Sequence, residues 1–235
     1  MTLVLAHRGA NRQAPENTLA AFRRAVELGA HGVELDVHRT VDDRLVVRHD
    51  ADSPAGLLPE LRLAEVAARL PDVPTLEAVL DVCAGRLVNV EIKNLPHQPG
   101  FDPEDRAARL LVELLADRGS ADRVLVSSFN LATVDRVRGL APGVPTGWLV
   151  LGVDPADALA RAHEHGHRAL HPDVWSLPGT RAPELVDDAR RRGLDVNVWT
   201  VNEAAEMRRL VDAGVDAIIT DVPDLALAVS REPAT

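Results

Sequence analysis

The chain has 235 residues, 46% of them hydrophobic, and a formal net charge of −10. That length supports one large core, of the order of the roughly 250 residues of a (β/α)8 barrel. The acidic balance excludes a general nucleic-acid binder, which carries a basic face.

Strand-like segments fall at 3–6, 32–37, 45–48, 87–92, 124–128, 146–150, 169–172, 195–199 and 217–220. Amphipathic helix patterns fall between them at 18–28, 75–82, 103–118, 131–140, 155–164, 181–192 and 203–213. Glycine follows many of these helices, at 29, 119, 166, 193 and 214, as left-handed helix ends require. The repeated βα order with short apolar strands predicts a parallel sheet. About eight units, plus the short extra strand at 45–48, predict a closed (β/α)8 TIM barrel, an α/β fold, spanning 1–235 as a single domain. No glycine-rich phosphate loop follows the first strand, which argues against a doubly wound sheet. The stretch 51–74 is the least regular and reads as a loop or short insertion after the second strand.

No apolar run approaches the roughly 18 residues of a membrane helix. The N-terminus lacks a basic region and runs straight into a strand, so no signal peptide is expected. Cys83 is the only cysteine and lies in an apolar helical stretch, a core position. These features predict a cytoplasmic protein with no stable membrane anchor. They leave the oligomeric state open.

In a barrel of this class the chemistry lies at the carboxyl ends of the strands. Unusual polar residues recur there. The first strand ends in His7-Arg8-Gly9, the second carries Glu34 and Asp36, the extra strand ends in His49-Asp50, and the next in Glu91-Ile92-Lys93. The period of two places Glu34 and Asp36 on the face opposite Val33, Leu35 and Val37, and Glu91 and Lys93 opposite Val88, Val90 and Ile92. Three inward carboxylates in one pocket repel one another unless a cation joins them. Oxygen-only ligands suit a hard divalent ion, Mg²⁺ or Ca²⁺. There is no His-x-x-x-His helix or cysteine pair to argue for zinc. Lys93 is the single lysine among 26 Lys and Arg residues. It offers a point charge where the chain otherwise uses the planar arginine fork.

His7 and His49 are candidates for general acid and base, since imidazole titrates near neutrality. Arg8 and Lys93 add positive charge, and together these groups suit a phosphoryl group. Arg8 has the opposite parity to His7, so the Gly9 turn is expected to re-aim it. Trp199 is a candidate apolar wall or a core residue. His163, His165 and His167 are expected to cap a helix end, and His171 to face the pocket. His31, His38 and His97 read as surface or loop residues.

Taken in order, these motifs resemble the glycerophosphodiester phosphodiesterase family. The pieces are His7-Arg8-Gly9, Pro15-Glu16-Asn17-Thr18, Glu34-x-Asp36-Val37, His49-Asp50, Pro74-Thr75-Leu76-Glu77, Glu91-x-Lys93, Ser128-Phe129, Trp199-Thr200-Val201-Asn202 and Thr220-Asp221-x-Pro223. The resemblance implies a TIM barrel that hydrolyses glycerophosphodiesters to glycerol 3-phosphate and an alcohol. It implies Glu34, Asp36 and Glu91 as metal ligands and His7 and His49 as the acid–base pair. Arg8 and Lys93 would hold the phosphate, with Phe129 and Trp199 at the substrate. One departure is that His49-Asp50 leads into a segment without the Arg-Thr run of many members, so the insertion is expected to be abbreviated. Two alternatives are a lysophospholipase D-like activity on single-chain lipids and a barrel that binds phosphodiesters without cleaving them.

Overall fold

The computed structural model describes residues 1–231. Eight parallel strands form the barrel: β1 (Leu3–His7), β2 (Gly32–Arg39), β6 (Leu87–Ile92), β7 (Val124–Ser128), β8 (Thr146–Val150), β9 (Ala169–Pro172), β10 (Asp195–Val198) and β11 (Ala217–Thr220). Each pairs with its neighbour in sequence order, and β1 closes the ring by pairing with both β11 and β2. The extra strand β3 (Leu45–Val47) runs antiparallel on the far end of β2, with Val37 opposite Val47.

The alternation of side chains divides the core. Val4 packs outward with helices of one half, and Ala6, Val33, Leu35, Val88, Val90 and Ile92 pack outward with those of the other. Leu5, Ala217 and Ile219 form a small separate cluster joined by Trp199. Strands with apolar outer faces and mixed inner faces leave inner positions free for polar groups at the mouth.

The outer helices are α1 (Leu19–Leu28), α3 (Leu76–Val82), α4 (Arg106–Arg118), α5 (Leu131–Leu140), α6 (Pro155–Glu164), α7 (Arg181–Arg192), α8 (Ala204–Ala213) and α9 (Pro223–Arg231). Several begin one residue later than the apolar pattern predicts. Thr18 and Thr75 sit outside the helix in extended conformation and accept the Ala21 and Ala78 N–H groups through their hydroxyls. Helix α4 starts at Arg106 rather than 103, because the Asp102 carboxylate accepts the Glu104 and Arg106 N–H groups and keeps that turn out of the helix. Helix α9 is an addition to the predicted set.

The 51–74 stretch is more ordered than a loop. It folds into a hairpin of β4 (Asp52–Ser53) and β5 (Gly56–Leu57) and a seven-residue helix α2 (Leu63–Arg69). Val46, Leu58, Leu61 and Val66 give it a small apolar cluster of its own. Too few apolar positions repeat there for helical periodicity to show in the sequence. Among the described residues no helix is long and apolar enough to cross a membrane.

Candidate active site

Strand register assembles the mouth. His7 lies beside Glu34, Asp36 beside Glu91, and Glu91 beside Ser127 across successive parallel pairs. Glu34, Asp36 and Glu91 are all buried, and each offers a carboxylate oxygen within 4.8 Å of the others. Lys93, just past β6, places Nζ 2.8 Å from Glu91 Oε1 and 3.3 Å from Asp36 Oδ1. Arg8 Nε lies 3.4 Å from Asp36 Oδ2, while its Nη1 donates to both oxygens of Glu16 at 3.1 and 3.0 Å.

Arg8 is re-aimed by more than the Gly9 turn. Arg8 itself takes φ of 56°, followed by Gly9 at 79°. Left-handed backbone in a residue with a side chain costs about 1–2 kcal/mol. Here it is held by the Arg8 N–H, which donates to the Glu34 carbonyl at 2.9 Å and reaches Glu34 Oε2 at 3.1 Å. Gly9 is required sterically as well, since a Cβ there would meet Ala21 at 2.7 Å.

Two cations face three buried carboxylates. Burial, then repulsion from Asp36 and Glu91, pushes the Glu34 carboxyl well above its ordinary range. Burial likewise raises Glu91, to about 7, although Lys93 opposes it. For Asp36 burial also acts upward, but Lys93, Arg8, His49 and the Asn17 amide outweigh it and hold the group low. The mouth is therefore short of positive charge. An oxygen-only donor set with two strained carboxyls fits a hard divalent cation. The buried Asn17 Oδ1 has no partner, while Asn17 Nδ2 donates to Asp36 at 2.8 Å.

Each histidine is oriented by a carboxylate. His7 Nδ1 donates to Asp221 Oδ1 at 2.7 Å, and His7 Nε2 lies 3.9 Å from Glu34 Oε2. Burial raises the Asp221 carboxyl, but hydrogen bonds from His7, Asn11 and Asn202 hold it well below the usual range. His49 Nδ1 lies 2.7 Å from Asp50 Oδ1. Burial and the Lys93 charge lower the His49 pKa, with Asp36 and Asp50 opposing them.

A groove of about 810 Å³ runs from Lys93 and His49 past Leu95, Phe101, Phe129 and Val153. Phe129 meets the edge of Trp199 with ring centroids 5.3 Å apart at 86°. Trp199 Nε1 donates to the His171 carbonyl at 2.9 Å. Trp199 backs Phe129 and packs on the Leu5–Ile219 cluster below, the core role of the two foreseen for it.

The structure corrects several histidines. His38 is buried, not a surface residue, and its Nε2 bonds to the His49 carbonyl at 3.0 Å, fixing the backbone of that strand end. His31 is half-buried and accepts the Val4 N–H. His171 does not reach the pocket: it is 0% exposed, and its Nε2 accepts from Asn197 at 3.0 Å inside the barrel. His165 and His167 cap the end of α6 through their backbone N–H groups, which donate to the Arg161 and Ala162 carbonyls, while both rings turn instead towards Asp135. Residue types alone did not reveal Asp221, Asn17 or Asn11 as site residues. The first two lie in the motifs Thr220-Asp221-x-Pro223 and Pro15-Glu16-Asn17-Thr18, which were the available signal.

Comparison with known proteins agrees with this geometry. Residues 7–225 match the model of the glycerophosphoryl diester phosphodiesterase family. A glycerophosphodiester phosphodiesterase of Caldanaerobacter subterraneus subsp. tengcongensis is 34% identical, with 98% of each chain covered. The crystal structure of the Thermotoga maritima glycerophosphodiester phosphodiesterase superposes with a TM-score of 0.84 at 27% identity, covering 97% of this chain and 98% of that one. An Oleispira antarctica phosphodiesterase, solved in complex with the product sn-glycerol-3-phosphate, gives 0.85 at 26% identity, covering 99% and 98%. The strand-end constellation and the match along nearly the whole chain lead to one conclusion: the chain belongs to the glycerophosphoryl diester phosphodiesterase family.

Proposed function

We propose that this protein is a divalent-metal-dependent phosphodiesterase that hydrolyses glycerophosphodiesters to glycerol 3-phosphate and an alcohol. The observation that carries the reading is the convergence of Glu34, Asp36 and Glu91, within 4.8 Å of one another, beside Lys93, Arg8 and the Asp221-held His7. Those carboxylates would hold Mg²⁺ or Ca²⁺, and the ion, when bound, supplies positive charge against the phosphate. Arg8 and Lys93 hold the phosphate from the other side, exchanging part of their contact with Glu16 and Asp36 for it.

The chain's own groups then move protons. One histidine takes the proton of the glycerol hydroxyl next to the phosphate, and that oxygen attacks phosphorus. The bond from phosphorus to the alcohol oxygen breaks, and the other histidine protonates the departing oxygen. Water opens the cyclic phosphate with the two histidines in reversed roles, giving glycerol 3-phosphate. Holding nucleophile and phosphorus in one substrate removes much of the entropic barrier. Phe129 and Trp199 wall the substrate, and the groove beside them takes the leaving alcohol. The barrel acts as one catalytic unit, and the lone buried thiol Cys83 fits a reducing cytoplasmic setting.

The test is a hydrolysis screen of glycerophosphocholine, glycerophosphoethanolamine and glycerophosphoglycerol, with a lysolipid arm. EDTA should abolish turnover, and Mg²⁺ or Ca²⁺ should restore it. Full turnover in a demonstrably metal-free preparation would overturn the metal assignment. Binding without turnover would favour the non-catalytic barrel.

A further inference from the structure

A second group of metal-binding side chains lies at the other end of the barrel. Asp135 is on α5, His165 caps the end of α6, and His167 leads into β9. One donor atom from each lies within 4.8 Å of the other two. His165 Nδ1 is 2.9 Å from Asp135 Oδ1, and His167 Nε2 is 3.2 Å from the same oxygen. In a tetrahedral zinc site with bonds near 2.0–2.1 Å, neighbouring ligand atoms lie about 3.3 Å apart. Both contacts to Asp135 are close to that spacing, and the two imidazole donors lie within 4.8 Å of each other.

A surface ion pair does not account for His167. Its side chain is 0% exposed, and its Nε2, although 3.2 Å from Asp135 Oδ1, has no partner in hydrogen-bond geometry. Nδ1 is occupied instead, 2.9 Å from the buried Thr146 hydroxyl. A ligating histidine is arranged this way, with one nitrogen fixed by a neighbour and the other bare. The turn that ends α6 sets the geometry. Gly166 at φ 72° lets two histidines two residues apart face one carboxylate, with rings stacked 6.0 Å apart.

We propose that Asp135, His165 and His167 form a second metal site, for a zinc-class divalent cation, remote from the catalytic mouth. Two imidazoles and one carboxylate suit zinc, cobalt or nickel and disfavour Mg²⁺ and Ca²⁺, which take oxygen. Three protein ligands leave one position for water. The bound ion ties α5 to the α6–β9 turn and so stabilises that half of the barrel. Arg138, which donates to the Gly166 carbonyl at 2.7 Å, opposes a dication. The site is therefore expected to be weaker than a closed four-ligand zinc site.

The test uses the untagged, EDTA-stripped full chain and Zn²⁺ as the probe. In a Glu34→Gln/Glu91→Gln background, which disables the mouth, calorimetry should still find one zinc equivalent, and Zn²⁺ should raise the thermal midpoint. Adding His165→Ala should weaken that binding at least tenfold and abolish the midpoint shift. Co²⁺ in place of zinc should give visible d–d absorption that the same variant loses. If His165→Ala perturbs folding, Asp135→Asn on the exposed side of α5 serves in its place. Failure of the mouth-disabled chain to bind zinc, or unchanged zinc affinity in a folded His165→Ala or Asp135→Asn variant, overturns the proposal. In the otherwise native chain His165→Ala should leave Mg²⁺-supported turnover unchanged, which separates this site from the catalytic one.

Discussion

Asp221→Asn is the sharpest test of how the mouth works. Asp221 Oδ1 accepts from His7 Nδ1 and Asn11 Nδ2, at 2.7 and 2.6 Å, and Oδ2 accepts from Asn202 Nδ2 at 2.8 Å. All of these partners donate, so an amide must point its NH₂ at one set of them. Asn202 cannot turn to receive it, because its Oδ1 already accepts the Asp221 N–H and the Thr220 hydroxyl. The NH₂ is therefore driven against His7, which can meet it only by giving up the Nδ1 proton and carrying it on Nε2. That is the wrong tautomer for a base acting through Nε2. The equivalent substitution in a Ser-His-Asp triad lowers kcat about 10⁴-fold. Asp221→Ala removes the bonds to His7, Asn11 and Asn202 but forces no tautomer on His7; loss of the charged bond to the ring, worth about 1.5–3 kcal/mol, should lower kcat about 10- to 150-fold. Both variants should affect kcat far more than KM, and ¹⁵N NMR of the His7 ring should show the proton moved to Nε2 in Asp221→Asn alone. A folded Asp221→Asn enzyme with near-native kcat and an unchanged His7 tautomer would refute the reasoning.

His49→Ala should lower kcat about 10²-fold or more at unchanged fold; a near-normal value removes His49 from the proton transfers. Lys93→Met should lose transition-state stabilisation on the order of a few kcal/mol, and Lys93→Arg should not restore it, since the planar head does not fit the point-charge position. Because Lys93 is the only lysine, amine labelling followed by mass spectrometry should show it protected by a bound substrate analogue; equal labelling with and without analogue counts against a phosphate contact. Burial lowers the His171 pKa to about 3, so between the ordinary 6.5 and that value the unfolded chain binds a proton the folded chain refuses. This contribution to stability is whole above pH 6.5 and falls as pH drops, by about 1.4 kcal/mol per unit. Urea unfolding of His171→Gln should show a shallower acid loss than the native chain, and parallel curves would exclude the effect.

The barrel was legible because period-two strands and amphipathic helices alternate from Leu3 to Thr220 outside the excursion at 45–74. Three of the mouth's carboxylates and Lys93 were legible for the same reason, since Glu34, Asp36, Glu91 and Lys93 share inner faces, whereas Arg8 has the opposite parity and is aimed by its left-handed backbone. What stayed hidden depends on contacts between distant positions. Asp221 lies in a loop with no periodicity and acts only through His7 on another strand. His38 sits at an inner position like Asp36, but its partner is a backbone carbonyl that composition cannot show. The α2 segment is stabilised by its packing on Val46, not by its own pattern.

The His7–Asp221 bond joins residues 214 positions apart, one on the first strand and one just past the last. A ribosome synthesises these in order, and the carboxylates, the lysine and both histidines emerge long before the aspartate does. A nascent or C-terminally clipped chain therefore carries most of the proposed phosphate site without the carboxylate that holds its first histidine. On the mechanism proposed above, turnover depends on ring closure between β1 and β11 as well as on the residues of the mouth, so an assay of turnover would also report on the integrity of the chain.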